Sequence, residues 1–129
     1  MRRRLAASAL AATALVLAAV FSAVEAKNFT LGFLPALSGN KGQNKYFVGA
    51  LVYALKHINS NKRVLAGHRL DYVLVDNKAD TLTSIRGMTK QYFNKTVAFI
   101  GPEDTCATEA RVAAAWNLPM VAYVSTATA

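Results

Sequence analysis

Four short apolar segments alternate along the chain with longer segments of helical periodicity. The apolar segments are residues 29–34, 69–75, 97–100 and 120–124, and they have the length of buried strands. From about Asn44, apolar residues recur on one face of a predicted helix, namely Phe47, Leu51, Leu55 and Ile58. The polar residues 59–61 are expected to end that helix. The pattern therefore predicts the order β-α-β-α-β-α-β.

The second and third predicted helices also have start signals. Asp80 can cap a helix in which apolar positions recur at helical spacing, namely Leu82, Ile85, Met88 or Thr89, and Tyr92-Phe93. Residues 105–116 are rich in alanine and favour a helix, with Asp104 and Thr105 as its expected caps. Trp116, beside Pro119, is expected to pack in the core, and His57 is expected to face solvent.

Strands and helices that alternate in this way favour α/β architecture, with an open parallel sheet and right-handed helical crossovers in three layers. An open sheet of four strands would normally continue, so we expect the chain to be part of a domain. Ligands bind such sheets at the carboxyl ends of the strands.

Residues that suit a polar ligand follow each predicted strand. Hydroxyl groups and backbone donors near helix amino termini would line a cleft there. The predicted ligand-binding residues are Ser38, Gly39, Gly101, Pro102, Thr105 and Ser125. The acidic pair Glu103 and Asp104 weakens the case for an anion at the Gly-Pro loop, because both already complement the helix amino end.

No pattern of residues specifies an enzyme. Asp76 and Asp80 are better explained by turn formation and helix capping than by acid-base catalysis. Residues 38–42 lack the glycine spacing of a phosphate-binding loop, and the sequence specifies no catalytic triad. We therefore predict recognition without chemistry, with no cofactor.

The amino terminus has the features of an export signal. Arg2 to Arg4 form a basic region, an alanine-rich apolar stretch follows, and Val24-Glu25-Ala26 offers a cleavage site. Residues 1–26 are therefore predicted to be a signal peptide, the alternative being an uncleaved membrane anchor. Residues 27–129 are then expected to be exported. The sequons at Asn28 and Asn94, which are candidate glycosylation sites, support this prediction.

Charge and cysteine content exclude other classes of protein. The net charge is +8, but the basic residues are scattered, so a nucleic-acid surface is not expected. Cys106 is the only cysteine, and His57 and His68 lack ligand spacing relative to it, so no metal site is predicted. An odd cysteine in an exported chain suggests a missing disulfide partner or an intermolecular bond.

The string Gly101-Pro102-Glu103-Asp104-Thr105-Cys106, followed by Trp116-Asn117-Leu118-Pro119-Met120, resembles the extracellular ligand-binding region of receptor guanylate cyclases. The resemblance covers residues 28–123. It implies half of the first lobe of a type I periplasmic-binding-protein fold, a possible chloride near the Gly-Pro loop, and a homodimer in the full-length form. It also implies a disulfide from Cys106 to a cysteine after Tyr123, which residues 124–129 do not supply.

We therefore expect an amino-terminal fragment of an extracellular receptor region, displayed at the plasma membrane in its full-length form. Its ligand is a peptide or a small molecule. The cyclase domain of the resembled family does not occur in this sequence. The alternatives are a secreted small-molecule-binding protein, a small exported enzyme that depends on Ser38 or Cys106, and a non-functional gene-model fragment.

Overall fold

The computed structural model describes residues 25–39, 45–103 and 106–123. The predicted alternation of strands and helices is confirmed, with one additional short helix. In chain order the elements are β1 Asn28–Phe33, α1 Lys45–Ser60, α2 Lys62–Leu65, β2 Arg69–Leu74, α3 Thr81–Phe93, β3 Thr96–Ile100, α4 Ala107–Ala115 and β4 Met120–Val121.

The strands form one parallel sheet in the order β2-β1-β3-β4. The chain first moves from β1 outward to β2, then returns across β1 to β3 and continues to β4. Because parallel crossovers are right-handed, this reversal places α1 on one face of the sheet and α3 and α4 on the other. The predicted three-layer α/β architecture is confirmed, and the strand order reverses between β1 and β3.

The core lies between the sheet and the pair α3 and α4. Its buried residues are Leu34, Met88, Phe99 and Ala113. Trp116 packs against this cluster, as predicted, and stacks on Tyr92 with ring centroids 4.5 Å apart. On the opposite face of the sheet, Leu55 of α1 is buried, and His57 is exposed as predicted.

The buried face of α3 differs from the apolar pattern of its sequence. Leu82 and Phe93 are 65% and 77% exposed, whereas Gln91 is 1% exposed. The Gln91 side-chain amide donates to the Val73 carbonyl oxygen at 2.8 Å, whereas its Oε1 is buried without a partner among the described residues. The polar residue Gln91 therefore contacts the sheet from α3, whereas the apolar pattern predicted Tyr92 and Phe93 on that face.

Two boundary predictions are corrected. Asn61 does not only follow α1: its side chain accepts a hydrogen bond from the Arg63 N–H and so caps the unpredicted helix α2. Helix α4 begins at Ala107, with Cys106 in the capping position and no side-chain capping bond. The predicted caps Asp104 and Thr105 lie outside the described residues, and β4 is shorter than expected.

Within the described ranges, no helix is both long enough and apolar enough to cross a bilayer. The predicted signal peptide lies almost wholly in residues 1–24, outside the part of the chain that the structure describes.

Candidate functional site

Three connections meet at the carboxyl edge of the sheet. We call them the β1 connection (residues 34–39), the β2 connection (residues 75–80) and the β3 connection (residues 101–106, of which 104–105 are not described). The Leu34 N–H donates to the Ile100 carbonyl at 3.0 Å, and the Asn77 N–H donates to the Pro35 carbonyl at 3.0 Å. The predicted convergence of these loops is therefore observed at the topological switch point, where α/β sheets bind ligands.

Asp76 joins the β1 and β2 connections. Its Oδ1 accepts hydrogen bonds from the Leu37 N–H at 2.9 Å and the Lys78 N–H at 3.0 Å, and its Oδ2 accepts one from the Ser38 hydroxyl at 2.5 Å. Burial would raise the pKa of Asp76, but these donors outweigh it and lower the pKa below its usual value of 3.8. The carboxylate thus fixes the backbone of both connections.

Asp80 ends the β2 connection by capping α3. Its Oδ1 accepts hydrogen bonds from the Thr83 N–H at 2.7 Å and from the Thr83 hydroxyl at 2.6 Å. These two bonds lower the pKa of Asp80, since both donors favour the charged form. The interpretation of Asp76 and Asp80 as turn and cap residues, rather than as a catalytic pair, is consistent with these contacts.

Two predicted site residues are glycines in left-handed conformations. Gly39 has φ +91°, and a Cβ added there would lie 2.9 Å from the Lys78 carbonyl oxygen. Gly101 has φ +88°, and its Cβ would lie 2.9 Å from the Leu34 carbonyl oxygen. Each glycine lets one connection approach the backbone of its neighbour. The Gly101 N–H also donates to the Val121 carbonyl at 2.9 Å, so pairing with β4 continues one residue past β3.

A small cavity of about 30 Å³ lies between the β2 connection and the start of α4. On one side, Asn77 and Ser84 are both buried, and the Asn77 amide donates to the Ser84 hydroxyl at 3.1 Å. On the other side, Glu103 and Glu109 each have a buried Oε2 without a hydrogen-bond partner among the described residues. Glu109 is 1% exposed. The rest of the lining is Ala79, Asp80, Thr81 and Pro102.

Tyr123 adds a third buried polar atom without a partner among the described residues, its hydroxyl. Burial, and then the nearby Glu103 carboxylate, raise the pKa of Tyr123 to about 12, so the hydroxyl stays protonated and can donate. Its ring packs on Phe47 with centroids 4.7 Å apart. The Tyr123 hydroxyl is therefore positioned by an aromatic contact of its ring, and it makes no hydrogen bond to the described residues.

The sequence did not indicate Glu109 or Tyr123. Glu109 lies in the first turn of α4, where an acidic residue is common, and nothing local marks it as buried. In the sequence, Tyr123 only marks the end of the region that resembles receptor guanylate cyclases. Both acquire their surroundings from segments distant in sequence.

The other predicted site residues are distributed as follows. Ser38 and Gly39 contact the β2 connection, and Gly101 and Pro102 belong to the β3 connection, whereas Thr105 and Ser125 lie outside the described residues. Cys106 is partly buried and unpaired within the described part. Asn28 and Asn94 are exposed. In the ranges described, no three acidic, histidine or cysteine side chains are grouped as metal ligands would be.

A larger cavity, of about 410 Å³, lies elsewhere. It is an open groove between α1 and β2, near the amino end of β2 and so away from the three connections. Asn59 in its lining is already used, because its amide donates to the Leu70 carbonyl at 2.8 Å and its carbonyl accepts from the Leu70 N–H at 2.9 Å. These bonds cover the edge of the sheet, so we take the groove as structural.

Comparison with known proteins identifies the family. The model for the "receptor family ligand binding region" matches residues 48–129. Guanylate cyclase 32E of Drosophila melanogaster is 35% identical over 97 residues, which cover 72% of this chain and 8% of that protein. The Speract receptor of Strongylocentrotus purpuratus is 33% identical over 95 residues, covering 74% of this chain and 7% of the receptor. The chain thus spans a small part of the length of these relatives.

Solved structures agree on the fold. The branched-chain amino acid transporter substrate-binding protein LivJ of Streptococcus pneumoniae, solved with isoleucine, superimposes with a TM-score of 0.64 and 25% identity, covering 78% of this chain and 30% of LivJ. An ABC transporter substrate-binding protein from Desulfitobacterium hafniense gives a TM-score of 0.65 at 20% identity, with the same coverage. The chain therefore has part of a periplasmic-binding-protein fold of type I, as the resemblance implied.

Proposed function

Because the chain belongs to the receptor family of ligand-binding regions, we propose that it is the extracellular ligand-binding part of a transmembrane receptor of the guanylate cyclase type. It recognises a ligand and performs no chemistry of its own. The match to receptor guanylate cyclases lies in the ligand-binding region, which supports this assignment.

One structural observation carries the proposal. Glu103 of the β3 connection, Glu109 of α4 and Tyr123 after β4 each have a buried polar atom without a partner among the described residues, beside the point where the strand order reverses. Buried polar groups are usually hydrogen-bonded, and the exceptions call for an explanation. A ligand or a facing protein surface that supplies the missing partners is such an explanation. The β1 and β2 connections form the rigid support next to it.

In the proposed mechanism, the ligand bridges this edge and a second lobe of the full-length receptor. Closure of the two lobes, or rearrangement of a homodimer, then transmits binding to an intracellular cyclase. Ligand binding can shift such an equilibrium only through its differential affinity for the two arrangements. The residues of this chain contribute one wall of the site, and recognition needs no cofactor.

The proposal is tested on the full-length protein with an epitope tag inserted at Gly67, an exposed turn near the amino end of β2. We expect an antibody to stain intact cells, and we expect cyclic GMP to rise when fractionated tissue extracts containing the ligand are applied. Cells expressing the untagged full-length protein are the control for staining, and untransfected cells are the control for the cyclic GMP response. Staining only after permeabilisation would contradict the proposal.

The second candidate is a secreted binding protein, favoured by the structural similarity to LivJ, whose structure holds isoleucine. In that case the tagged protein would accumulate in the culture medium and bind a small molecule without any change in cyclic GMP. A non-functional fragment would give neither surface staining nor a stable secreted protein.

A further inference from the structure

We propose that the small cavity between the β2 connection and the start of α4 binds a primary ammonium group of the ligand, with Glu103 and Glu109 as its acceptors. This inference rests on the proposed function, since it assigns a chemistry to the same edge of the sheet. It predicts a cationic ligand, such as a peptide with a lysine side chain or a free amino terminus, or a small amine.

The distribution of charge is the first argument. The chain is strongly basic, with 15 Lys and Arg residues against seven Asp and Glu. Nevertheless, of the six acidic residues that the structure describes, only Glu25 and Asp71 lie away from the connections at the carboxyl edge and the first turn of α4. A basic protein that gathers its carboxylates at one edge creates a local negative potential there, which attracts cations.

The second argument is that two of these carboxylates have unused capacity. Asp76 and Asp80 accept hydrogen bonds from neighbouring donors, but Oε2 of Glu103 and Oε2 of Glu109 are buried and accept none from the described residues. A buried carboxylate without a donor is unfavourable. A hydrogen-bond donor that also carries positive charge compensates most strongly for the hydration that a carboxylate loses on burial.

The nearby basic residues of this chain do not fill that role. Lys78 of the β2 connection and Arg86 of α3 are both exposed. Arg86 acts electrostatically on Asp80, whose pKa it helps to lower. Within the described ranges, neither residue reaches the Oε2 atoms of the two glutamates.

The third argument is size. The cavity that Glu103 and Glu109 line has a volume of about 30 Å³. That space admits a group about as large as one water molecule, which fits a primary ammonium and excludes a quaternary one. A bound divalent metal is disfavoured, because the described residues supply no cluster of three metal-ligating side chains here. Asn77 and Ser84, on the opposite wall, are already paired with each other.

The test uses n-butylammonium chloride as the probe and the whole chain, secreted from cultured cells and labelled with ¹⁵N. We expect saturable shifts in the backbone amide signals of residues 101, 103 and 106–110. Replacement Glu109→Gln should weaken binding of n-butylammonium at least about 10-fold, the effect of losing a charged hydrogen bond. Glu103→Gln is the second variant, and we expect it also to weaken binding.

Asp71→Asn is the matched control, because it removes an acidic residue of β2 that pairs with Arg69. It should leave the binding of n-butylammonium unchanged. Neutral 1-butanol, tetramethylammonium and potassium chloride should not reproduce the shifts. The spectrum of each variant before titration shows whether it is folded.

Equal shifts with 1-butanol, tetramethylammonium or potassium, or equal binding by the folded Glu103→Gln and Glu109→Gln variants, would overturn the inference. So would the absence of saturable shifts in the wild-type chain. The proposed function fails by a different result, the absence of surface display or of a cyclic GMP response. A neutral or anionic ligand that shifts the same amide signals would remove the ammonium inference and leave the receptor assignment standing.

Discussion

The β2 and β3 connections lie at the same edge of one sheet, yet the carboxylates at the two places differ in whether they accept hydrogen bonds. In the β2 connection, Asp76 and Asp80 accept hydrogen bonds from backbone and hydroxyl donors of nearby loops and helix α3. In the β3 connection and the start of α4, Glu103 and Glu109 each retain a buried oxygen without a partner among the described residues.

This difference separates support from recognition. A carboxylate that already accepts hydrogen bonds from its own loop fixes the backbone and has less capacity to offer a ligand. A buried carboxylate with an empty position lowers the stability of the free protein and gains most when a partner arrives. The β2 connection therefore holds the site in shape, and the β3 connection is the part expected to contact the ligand.

The variant with the largest expected effect is Gly101→Ala. It tests how the β3 connection keeps its shape without the carboxylate hydrogen bonds that support the β2 connection. Gly101→Ala forces a left-handed residue to carry a Cβ that meets the Leu34 carbonyl oxygen. We expect a loss of about 3 kcal/mol in the free energy of unfolding, measured with urea.

Gly67→Ala is the matched control for Gly101→Ala. Gly67 has φ +89° but its Cβ would enter open space, so only the backbone strain remains, about 1 kcal/mol. Equal losses for the two variants would show that the close approach of Gly101 to Leu34 does not shape the β3 connection.

Removal of Asp76 tests the support assigned to the β2 connection. Asp76→Ala leaves donors of the β1 connection without their acceptor, so we expect the free energy of unfolding at pH 7 to fall by about 2 kcal/mol. Asp71→Ala removes an exposed carboxylate that, within the described ranges, pairs only with Arg69, and it should change the free energy of unfolding by less than about 0.5 kcal/mol. Equal losses of free energy of unfolding in Asp76→Ala and Asp71→Ala would show that Asp76 supports the fold no more than an exposed carboxylate does.

Replacement of Glu109 should have the opposite sign. Glu109→Gln replaces a buried carboxyl group that has an unpartnered oxygen, so we expect the free energy of unfolding to rise by about 1 kcal/mol. Urea unfolding of the ligand-free chain measures this change. A decrease of the same size would mean that the Glu109 carboxylate is stabilised within the protein, and the contrast between the two connections would disappear.

The smallest effect concerns pH. The folded-state pKa of Asp76 is lowered, so its stabilising contribution is complete above the usual value of 3.8 and is lost as the pH falls through the folded value. The stability difference between wild type and Asp76→Ala should therefore narrow below about pH 4. A difference that stays constant from pH 6 to about pH 2 would show that the charge of Asp76 contributes nothing.

The sequence was sufficient for the sheet and for most element boundaries, because apolar strands and helix caps such as Asp80 are local signals. The sequence pattern failed where a contact joins residues that are far apart along the chain. Helix α3 buries Gln91 instead of Phe93, since the Gln91 amide reaches the backbone of β2. A hydrophobic pattern cannot show such a bond.

The candidate site shows the same limit. The convergence of Ser38, Gly39, Gly101 and Pro102 on one edge follows from parallel strand order and was predictable. The link from Ser38 to Asp76 spans 38 positions, and the burial of Glu109 depends on packing against the β2 connection. Neither has a signature in the local sequence.

The most direct test of the contrast is a ¹³C NMR titration that observes the side-chain carboxyl carbons of Asp76, Glu103 and Glu109 in one sample. On addition of n-butylammonium, we expect the Glu103 and Glu109 signals to move saturably with one common affinity while the Asp76 signal stays in place. Movement of Asp76 to the same extent, or no movement of Glu109, would contradict the division of this edge into a supporting and a ligand-binding part.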